Sequence, residues 1–585
     1  MTTEINVMKA IWKIVLVVII GSSETVAAFD TSTHSAMTAA AAGKSRLGIS
    51  PTFSAQIRVL GLRDYNFVFG DKYIDIGPQL VTRIGSGFED GIIDSVQRQN
   101  GIGQIPNAYT LTGWLMRGAI REDDNKVEIA PIYQDEPGGT FNRPFGHFHD
   151  PQNDRGLTVA GIGILPRATD WALTPDTSIL GRQNHYKISD AREAMWRALT
   201  LKARAVDGSF NDNVTPTDWS PPSKEHLRKA YWATTFRALG DTVHLLQDMA
   251  QPQHARNDMH SGLGCVPGVG PCALGHDSFF EKYLKARTLK EDVFALADDN
   301  LSTSNRPFKI SLNALDYTSY NNIPSFPDYS DFFVSSAADG GNANGKGLAN
   351  YANRGFYSAG TNINRVFTTG DQPSPPPTGA GLGTVVLTDT GTNGEYLRDM
   401  AGNLLRGKMT FRTGIVRDTA GGADAADVKL SSVGIWDQFL VQKGWLSLYS
   451  LNSYNYDDQA KLLIPRAVAY SAGLIDYFFR GQMEVTPPEE GIYSLIDHHD
   501  FSGEGPPATD AVNGFKGFKT IKLKLRNATP DITPSGGGTV APQIMLGIGV
   551  SPTLISTITD TVADEVRAWQ SRPSTSSTQS SICTV

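Results

Sequence analysis

Two residues of metal-binding type lie one helical turn apart near the middle of the chain. His244 and Asp248 are four residues apart, and on a helix this spacing places both side chains on one face. Pro252 ends that helix, and His254 follows two residues later. A carboxylate and two imidazoles that converge at a helix end supply the nitrogen and oxygen ligands that suit zinc. The sequence therefore predicts a metal site here.

The alternative is a surface helix that carries two histidines by chance. The chain has only 11 histidines among its 585 residues, so their clustering favours the metal site. Other candidate ligands stand in short segments outside this helix. They are His34, the acidic run Glu122-Asp123-Asp124, the pair His147 and His149, and His276 with Glu281.

The composition is that of a globular, mildly acidic protein. Hydrophobic residues make up 40% of the chain and charged residues 19%, and 585 residues suffice for two or three domains. The formal net charge of -8 gives no broad attraction for nucleic acid. Bound metal ions would still make a site locally positive.

The first 28 residues have the pattern of a secretory signal peptide. A basic start and an apolar segment over 14–20 precede small residues that fit cleavage after Ala28. The apolar segment is far shorter than the roughly 20 residues that span a membrane, which favours cleavage over anchoring. We expect a secreted or periplasmic protein that begins at Phe29. Export would permit a disulfide between Cys265 and Cys272, with a zinc-thiolate pair as the alternative.

Residue patterning predicts a mainly α fold with a small C-terminal β-rich domain. Residues 302–384 are rich in glycine, proline and asparagine, which predicts loop insertions. Alternating apolar and basic residues over 518–526 predict a half-buried strand. Three regions are expected along the chain. They are the signal peptide (1–28), a helical domain (29–487) and a β-rich domain with a Ser/Thr-rich tail (488–585). Helices are expected over 29–45, 189–205, 223–248, 279–296, 433–452 and 457–479.

Taken in chain order, these residues resemble the zinc-dependent phospholipase C and P1/S1 nuclease superfamily. The most specific part is His244-x3-Asp248-x5-His254, with Pro252 two residues before the last histidine. The similarity runs from Phe29 to Glu281 and weakens after that. It implies a mainly α, multi-helix phospholipase C/P1 nuclease-like catalytic domain. Such a domain is secreted, binds three zinc ions in a cleft and hydrolyses phosphodiesters.

The resemblance also implies a role for each candidate residue. Asp248 would bridge two ions, and Asp123 would orient or deprotonate the attacking water, with Asp124 as its rival. His149 is expected to be a ligand or the partner of one. Asp241 is expected either to bond a ligand imidazole or to be solvated, and His260, His498 and His499 are expected to be incidental. The ligands would be Asp123, His147, His244 and Asp248 for the first zinc; His254, His276 and Glu281 for the second; and His34, Asp248 and the terminal amine and carbonyl of Phe29 for the third.

Three features depart from the family pattern. Phe29 stands where the family has tryptophan, and its backbone could serve as a ligand only if cleavage follows Ala28. His276 and Glu281 are five residues apart rather than four, which turns the two side chains away from each other on a helix and makes Asp277 a substitute ligand. The extra length at 302–384 is the third departure.

Details of the motifs favour phospholipids as the substrate. His147-Phe-His-Asp-Pro, His254-Ala-Arg-Asn and the use of Glu281 as last ligand resemble phospholipase C members, whereas the gap from Phe29 to His34 resembles the nucleases. The resemblance implies cleavage of phospholipid headgroups, with membrane contact through the C-terminal domain. The alternatives are a P1/S1-like single-strand nuclease or 3'-nucleotidase, and a zinc-stabilised binding protein with weak or no catalysis.

Overall fold

The structure is a computed structural model of the 585-residue chain. It describes residues 30–49, 68–76, 80–85, 87–100, 109–123, 144–159, 162–163, 166–174, 184–204, 210–211, 214–219, 223–258, 260, 278–290, 314–335, 341–358, 383–388, 408–433, 451, 453–480, 483–486, 494–496, 518–527, 543–549 and 582–584. Several predictions fall outside the described residues: those for the signal peptide, Phe29, Asp124, Cys265, Cys272, His276, Asp277, His498 and His499.

The fold is mainly helical. In the part of the chain that the structure describes, none of the helices combines the length and the apolar character needed to cross a membrane. A 3-10 turn spans Pro144–His147. The helices are α1 (Thr31–Lys44), α2 (Arg46–Ile49), α3 (Gly87–Asn100), α4 (Leu111–Arg121), α5 (Ala168–Leu173), α6 (Ile188–Thr200), α7 (Lys224–Asp248), α8 (Pro252–Ala255), α9 (Phe279–Leu289), α10 (Tyr329–Phe333), α11 (Leu348–Gly355) and α12 (Ser453–Phe478).

Five of the predicted helices are confirmed, namely those that correspond to α1, α6, α7, α9 and α12. Their ends differ from the prediction by a few residues where local backbone geometry decides. Helix α6 ends at Thr200 because Leu201 adopts the left-handed conformation with φ of 53°. Helix α1 begins where the Asp30 side chain accepts a hydrogen bond from the Ser32 amide. The helix predicted over 433–452 lies almost entirely outside the described residues.

Helix α7 lies at the centre of the helical core. All its residues from Ala230 to Asp248 are buried, as expected of a helix surrounded on every side. It packs against α4, α6, α12, α5 and α1. A helix in this position can present its last turn to side chains from several neighbouring elements.

Two glycines allow α4 and α7 to approach closely. A Cβ atom at Gly118 of α4 would overlap the Arg237 carbonyl oxygen, and a Cβ at Gly240 of α7 would overlap the Leu115 carbonyl oxygen. The helix backbones therefore touch where they cross. This crossing lies one turn before His244, so it brings the end of α4 to the end of α7.

Within the described residues the strands form five sheets. One is the β1–β2 hairpin, in which Lys72 pairs with Ile84 and Ile76 with Leu80. The antiparallel β7–β8–β9 sheet contacts α12 and α11 and was not predicted from the sequence. The strands are β1 (Lys72–Ile76), β2 (Leu80–Ile84), β3 (Thr158–Val159), β4 (Ile162–Gly163), β5 (Ala203–Arg204), β6 (Phe210–Asn211), β7 (Gly383–Thr388), β8 (Lys408–Val416), β9 (Ala425–Val433), β10 (Met483–Thr486), β11 (Ser494–Ile496), β12 (Phe518–Asn527), β13 (Gln543–Gly549) and β14 (Ile582–Thr584).

The predicted C-terminal strand is confirmed as β12, which belongs to a five-stranded sheet. Strand β12 pairs antiparallel with β10, β11 and β13, and β13 pairs parallel with β14. The alternation of apolar and basic side chains in Phe518–Asn527 therefore marked a paired strand.

The prediction of surface loops over 302–384 is wrong for part of that segment. Helices α10 and α11 lie within it, and every residue of α11 is buried. The Asn353 side chain donates a hydrogen bond to the Ala255 carbonyl oxygen at 2.6 Å, and Arg256 donates one to the Phe356 carbonyl oxygen at 2.7 Å. The segment thus packs on α8 and supports the end of the helix that carries His254.

Candidate metal centre

The last turn of α7 carries His244 and Asp248, and both side chains are fully buried. His244 Nε2 lies 3.4 Å from Asp248 Oδ2, as expected for residues one helical turn apart. Pro252 is the first residue of α8, where its missing amide hydrogen costs nothing. After the short turn between α7 and α8, His254 Nδ1 lies 3.7 Å from Asp248 Oδ2.

The two carboxylate oxygens of Asp248 face different histidines. Oδ1 lies 3.2 Å from His34 Nε2, which comes from the first turns of α1. Oδ2 lies 3.2 Å from His147 Nδ1, which comes from the 3-10 turn. Burial by itself would raise the pKa of Asp248, but the imidazoles of His244, His254 and His147 lower that pKa well below its ordinary value. Asp248 is therefore an ionised carboxylate between two groups of imidazoles.

Asp123 completes the group around Asp248 Oδ2. It lies two residues after the end of α4, and the close crossing of α4 and α7 places its Oδ1 atom 3.5 Å from His244 Nε2 and 3.7 Å from His147 Nδ1. The predicted ligands of the first zinc are thus brought together from α4, the 3-10 turn and α7. Burial opposes protonation of His244, but Asp123 and Asp248 outweigh it and raise the pKa of His244 well above its usual value.

Several atoms of this cluster are buried without a hydrogen bond. Nδ1 of His147, Nε2 of His244 and both oxygens of Asp248 have no hydrogen-bond partner among the described residues. Burying polar atoms in this way is costly unless another group binds them. The cluster therefore fits a metal ion, because the atoms converge on one region and are all of ligand type.

Three groups in the described chain could hold a metal ion: His34, Asp123 and His244; His147, His244 and Asp248; and His254, His260 and Glu281.

The third group includes His260, which the sequence analysis expected to be incidental. His260 is buried, and its Nε2 atom lies 2.7 Å from Glu281 Oε1 and 3.1 Å from His254 Nε2. His260 thus lies among candidate ligands, a position that was not expected from the sequence. The chain turns back at Asn257, whose φ of 55° is left-handed, and this reversal carries His260 towards His254. Burial raises the pKa of Glu281 to about 7.

In three of the histidines, a hydrogen bond made by Nδ1 determines that Nε2 is the nitrogen left for a metal ion. His244 Nδ1 donates to the Ala119 carbonyl oxygen at 2.6 Å, and His254 Nδ1 donates to the His147 carbonyl oxygen at 3.0 Å. His260 Nδ1 donates to the Asp258 carbonyl oxygen at 2.8 Å. Because a carbonyl oxygen can only accept, each of these rings carries a proton on Nδ1, which leaves Nε2 as the nitrogen that can bind a metal once it is deprotonated.

Two further predicted residues lie outside the metal-ligand groups. The chain up to His147 is a 3-10 turn rather than an extended strand, and His149 contacts Thr169 Oγ1 at 2.7 Å and Asp154 Oδ1 at 3.2 Å. Asp241 is fully buried rather than solvated, with Oδ2 3.7 Å from Arg237 Nε.

Sequence reasoning assigned no role to His260, and it named Glu122 only as part of the acidic run. Glu122 is fully buried, and its Oε1 atom lies 3.6 Å from His147 Nε2. Its position directly before Asp123 in the acidic run was the available signal. Helical periodicity could not indicate where the Glu122 side chain points, because the helix ends at this residue.

Comparison with known proteins assigns the chain to no family. A scan against protein-family models finds no match, and searches of curated proteins and of solved structures find none either. The geometry around Asp248 is therefore the observation from which we infer a function.

Proposed function

We propose that the chain is a zinc-dependent phosphodiesterase that releases the headgroups of phospholipids. The observation that carries this proposal is the buried Asp248 carboxylate, whose two oxygens face histidines from three different elements. The ligand chemistry is nitrogen and oxygen only, which suits zinc. A helical fold with such a centre agrees with a phospholipase C/P1 nuclease-like catalytic domain.

In this proposal each group of residues would hold one zinc ion. Asp123, His147, His244 and Asp248 would hold the first. The second would be held by His254, Glu281 and His260, with His276 as the ligand that the family resemblance implies. His34 and Asp248 would hold the third together with the terminal amine and carbonyl of Phe29. Residue 29 directly precedes Asp30, the cap of α1, so cleavage after Ala28 would create that terminus two residues before the first residue of α1.

Bound zinc would supply a Lewis acid and a water of lowered pKa. Asp123 is the residue that we propose to orient this water and accept its proton. The water oxygen would bond to phosphorus as the bond from phosphorus to the glycerol oxygen breaks, and the glycerol oxygen would leave with the proton that the water gave up. Phosphatidylcholine would give phosphocholine and diacylglycerol. Glu281 as the last ligand, rather than an aspartate, favours this substrate class over nucleic acid, as the family resemblance implies.

The substrate class can be tested directly with the purified mature protein. Phosphatidylcholine vesicles and single-stranded DNA are incubated with it in parallel, with and without a zinc chelator. We expect phosphocholine release that the chelator abolishes. Release of nucleotides alone would move the protein to the nuclease class. Bound zinc with no hydrolysis of either substrate would favour a zinc-stabilised binding protein.

Asp123→Asn should lower turnover by about 10²- to 10⁴-fold, the usual contribution of a general base. The amide keeps the size of the side chain and one oxygen, so most bound zinc should remain. Rates of phosphocholine release and zinc content are measured on the same preparation. Asp75→Asn is the matched control. Asp75 is a buried carboxylate whose Oδ1 atom lies 3.0 Å from His185 Nδ1, and it belongs to none of the three candidate metal groups. Unchanged turnover in Asp123→Asn would refute the proposed role of Asp123.

His260→Ala should lower the zinc content by about one ion per chain. The alanine removes the imidazole nearest to Glu281, and His254 with Glu281 then lack a described third ligand. His276→Ala is measured beside it. If only His276→Ala loses zinc, His260 is not a ligand and the five-residue spacing before Glu281 is tolerated.

A further inference from the structure

Glu122 lies behind one of the proposed zinc ligands. It is the residue that follows α4, and its amide donates to the Gly118 carbonyl oxygen at 3.0 Å, which continues the helical turn. The side chain is completely buried. Its carboxylate accepts a hydrogen bond from the Trp171 indole nitrogen at 2.8 Å. This hydrogen bond holds the carboxylate in one place.

The His147 ring lies between this carboxylate and the proposed metal position. Its Nδ1 atom faces Asp123 and Asp248, at 3.7 and 3.2 Å, whereas its Nε2 atom lies 3.6 Å from Glu122 Oε1. The two nitrogens of the ring thus lie next to different carboxylates. His147 differs in this from His244 and His254, whose outer nitrogens donate to backbone carbonyl oxygens.

We propose that Glu122 is a positioning residue that holds His147 with Nδ1 towards the first zinc and with a proton on Nε2, an inference that rests on the proposed zinc centre. A carboxylate behind a ligand imidazole fixes the ring and its tautomer and makes the metal-binding nitrogen more basic. Neutral carbonyl partners fix the tautomer but add no charge. The adjacent residues Glu122 and Asp123 thereby act on opposite nitrogens of one ring.

Trp171 contacts both Glu122 and the segment that carries His147. Its indole N–H bonds Glu122, and its ring lies against the loop that carries His147, since a Cβ at Gly146 would come within 2.8 Å of the ring. Trp171 belongs to α5 and is itself buried. Movement of Glu122 away from His147 would therefore require α5 or the indole ring to shift.

The test is the zinc affinity of Glu122→Gln, measured by competition with a fluorescent chelator. Glutamine keeps the size and can still accept from Trp171, so the metal-free protein should unfold at nearly the wild-type temperature. We expect one of the bound ions to lose about 10- to 100-fold in affinity. Trp171→Phe, which removes the hydrogen bond from the indole to Glu122 and leaves the carboxylate in place, should give a smaller loss in the same direction.

Glu89→Gln is the matched control. Glu89 is a buried carboxylate beside the same helix, where it accepts from Arg121 Nε at 2.6 Å and lies away from His147. This variant should lower the stability of the metal-free protein and leave the affinity of the bound ions unchanged. Wild-type affinity in Glu122→Gln would overturn the role of Glu122 alone. If the wild-type chain itself bound no zinc, the proposed function would fail as well, so the two failures are distinguishable.

Discussion

Asp248→Asn is expected to lose at least two of the proposed zinc ions together. One carboxylate oxygen faces His34 and the other faces His147 and His244, so a single substitution affects both neighbouring ion positions. Asparagine keeps the shape of the side chain but has one oxygen and no charge. Structural zinc contributes on the order of 10 kcal/mol to the folding of small zinc-binding peptides, so stability should fall with zinc content.

Zinc content by atomic emission and unfolding temperature by circular dichroism are measured on the same samples of Asp248→Asn. The variant should unfold close to the metal-free wild-type protein, and added zinc should raise its unfolding temperature little. Asp241→Asn is the control, because Asp241 is equally buried on the same helix but faces Arg237. It should retain zinc. A full complement of zinc in Asp248→Asn would contradict the bridging role.

Gly240→Ala is expected to separate α4 from α7 and to disturb the centre from a distance. The added methyl group would overlap the Leu115 carbonyl oxygen, and a backbone atom cannot yield as the end of a flexible side chain can. Overpacking of this kind costs about 1–3 kcal/mol and at times more. Because α4 ends next to Asp123 and α7 carries His244 and Asp248, a shift between the helices should also weaken zinc binding.

The free energy of unfolding of Gly240→Ala is measured with denaturant, and zinc affinity is measured beside it. Gly91→Ala is the control, since Gly91 lies in α3 and a Cβ there would meet nothing within 4 Å. Alanine at an open helical position stabilises by about 0.5–1 kcal/mol relative to glycine. Wild-type stability and zinc affinity in Gly240→Ala would show that the close crossing does not position the centre.

The sequence predicted the parts of the site that depend on helical periodicity. The four-residue spacing of His244 and Asp248 and the proline after them placed both residues and His254 at one helix end, where the structure has them. Family resemblance then named His34, Asp123 and His147, which come from separate elements. Periodicity alone could not have brought these residues to α7, because their contacts depend on tertiary packing.

The features that sequence reasoning missed lie where the chain is irregular or where distant segments meet. His260 follows a left-handed turn at Asn257, and neither spacing nor propensity predicts where such a turn points. Glu122 stands at the end of a helix, where the direction of a side chain depends on its neighbours. Helix α11 is buried where hydrogen bonds of Asn353 and Arg256 join it and the residue after it to a segment about 100 residues away. Long-range contacts of this kind leave little trace in local composition.

The zinc content of the purified mature chain tests the central claim most directly. Atomic emission would be recorded on the protein as purified, after dialysis against a chelator, and after zinc is restored, with phosphodiester hydrolysis measured at each stage. We predict about three zinc ions per chain, loss of the ions and of hydrolysis together, and recovery of both. A chain that folds and hydrolyses phosphodiesters without any bound zinc, or that binds no zinc at all, would contradict this account.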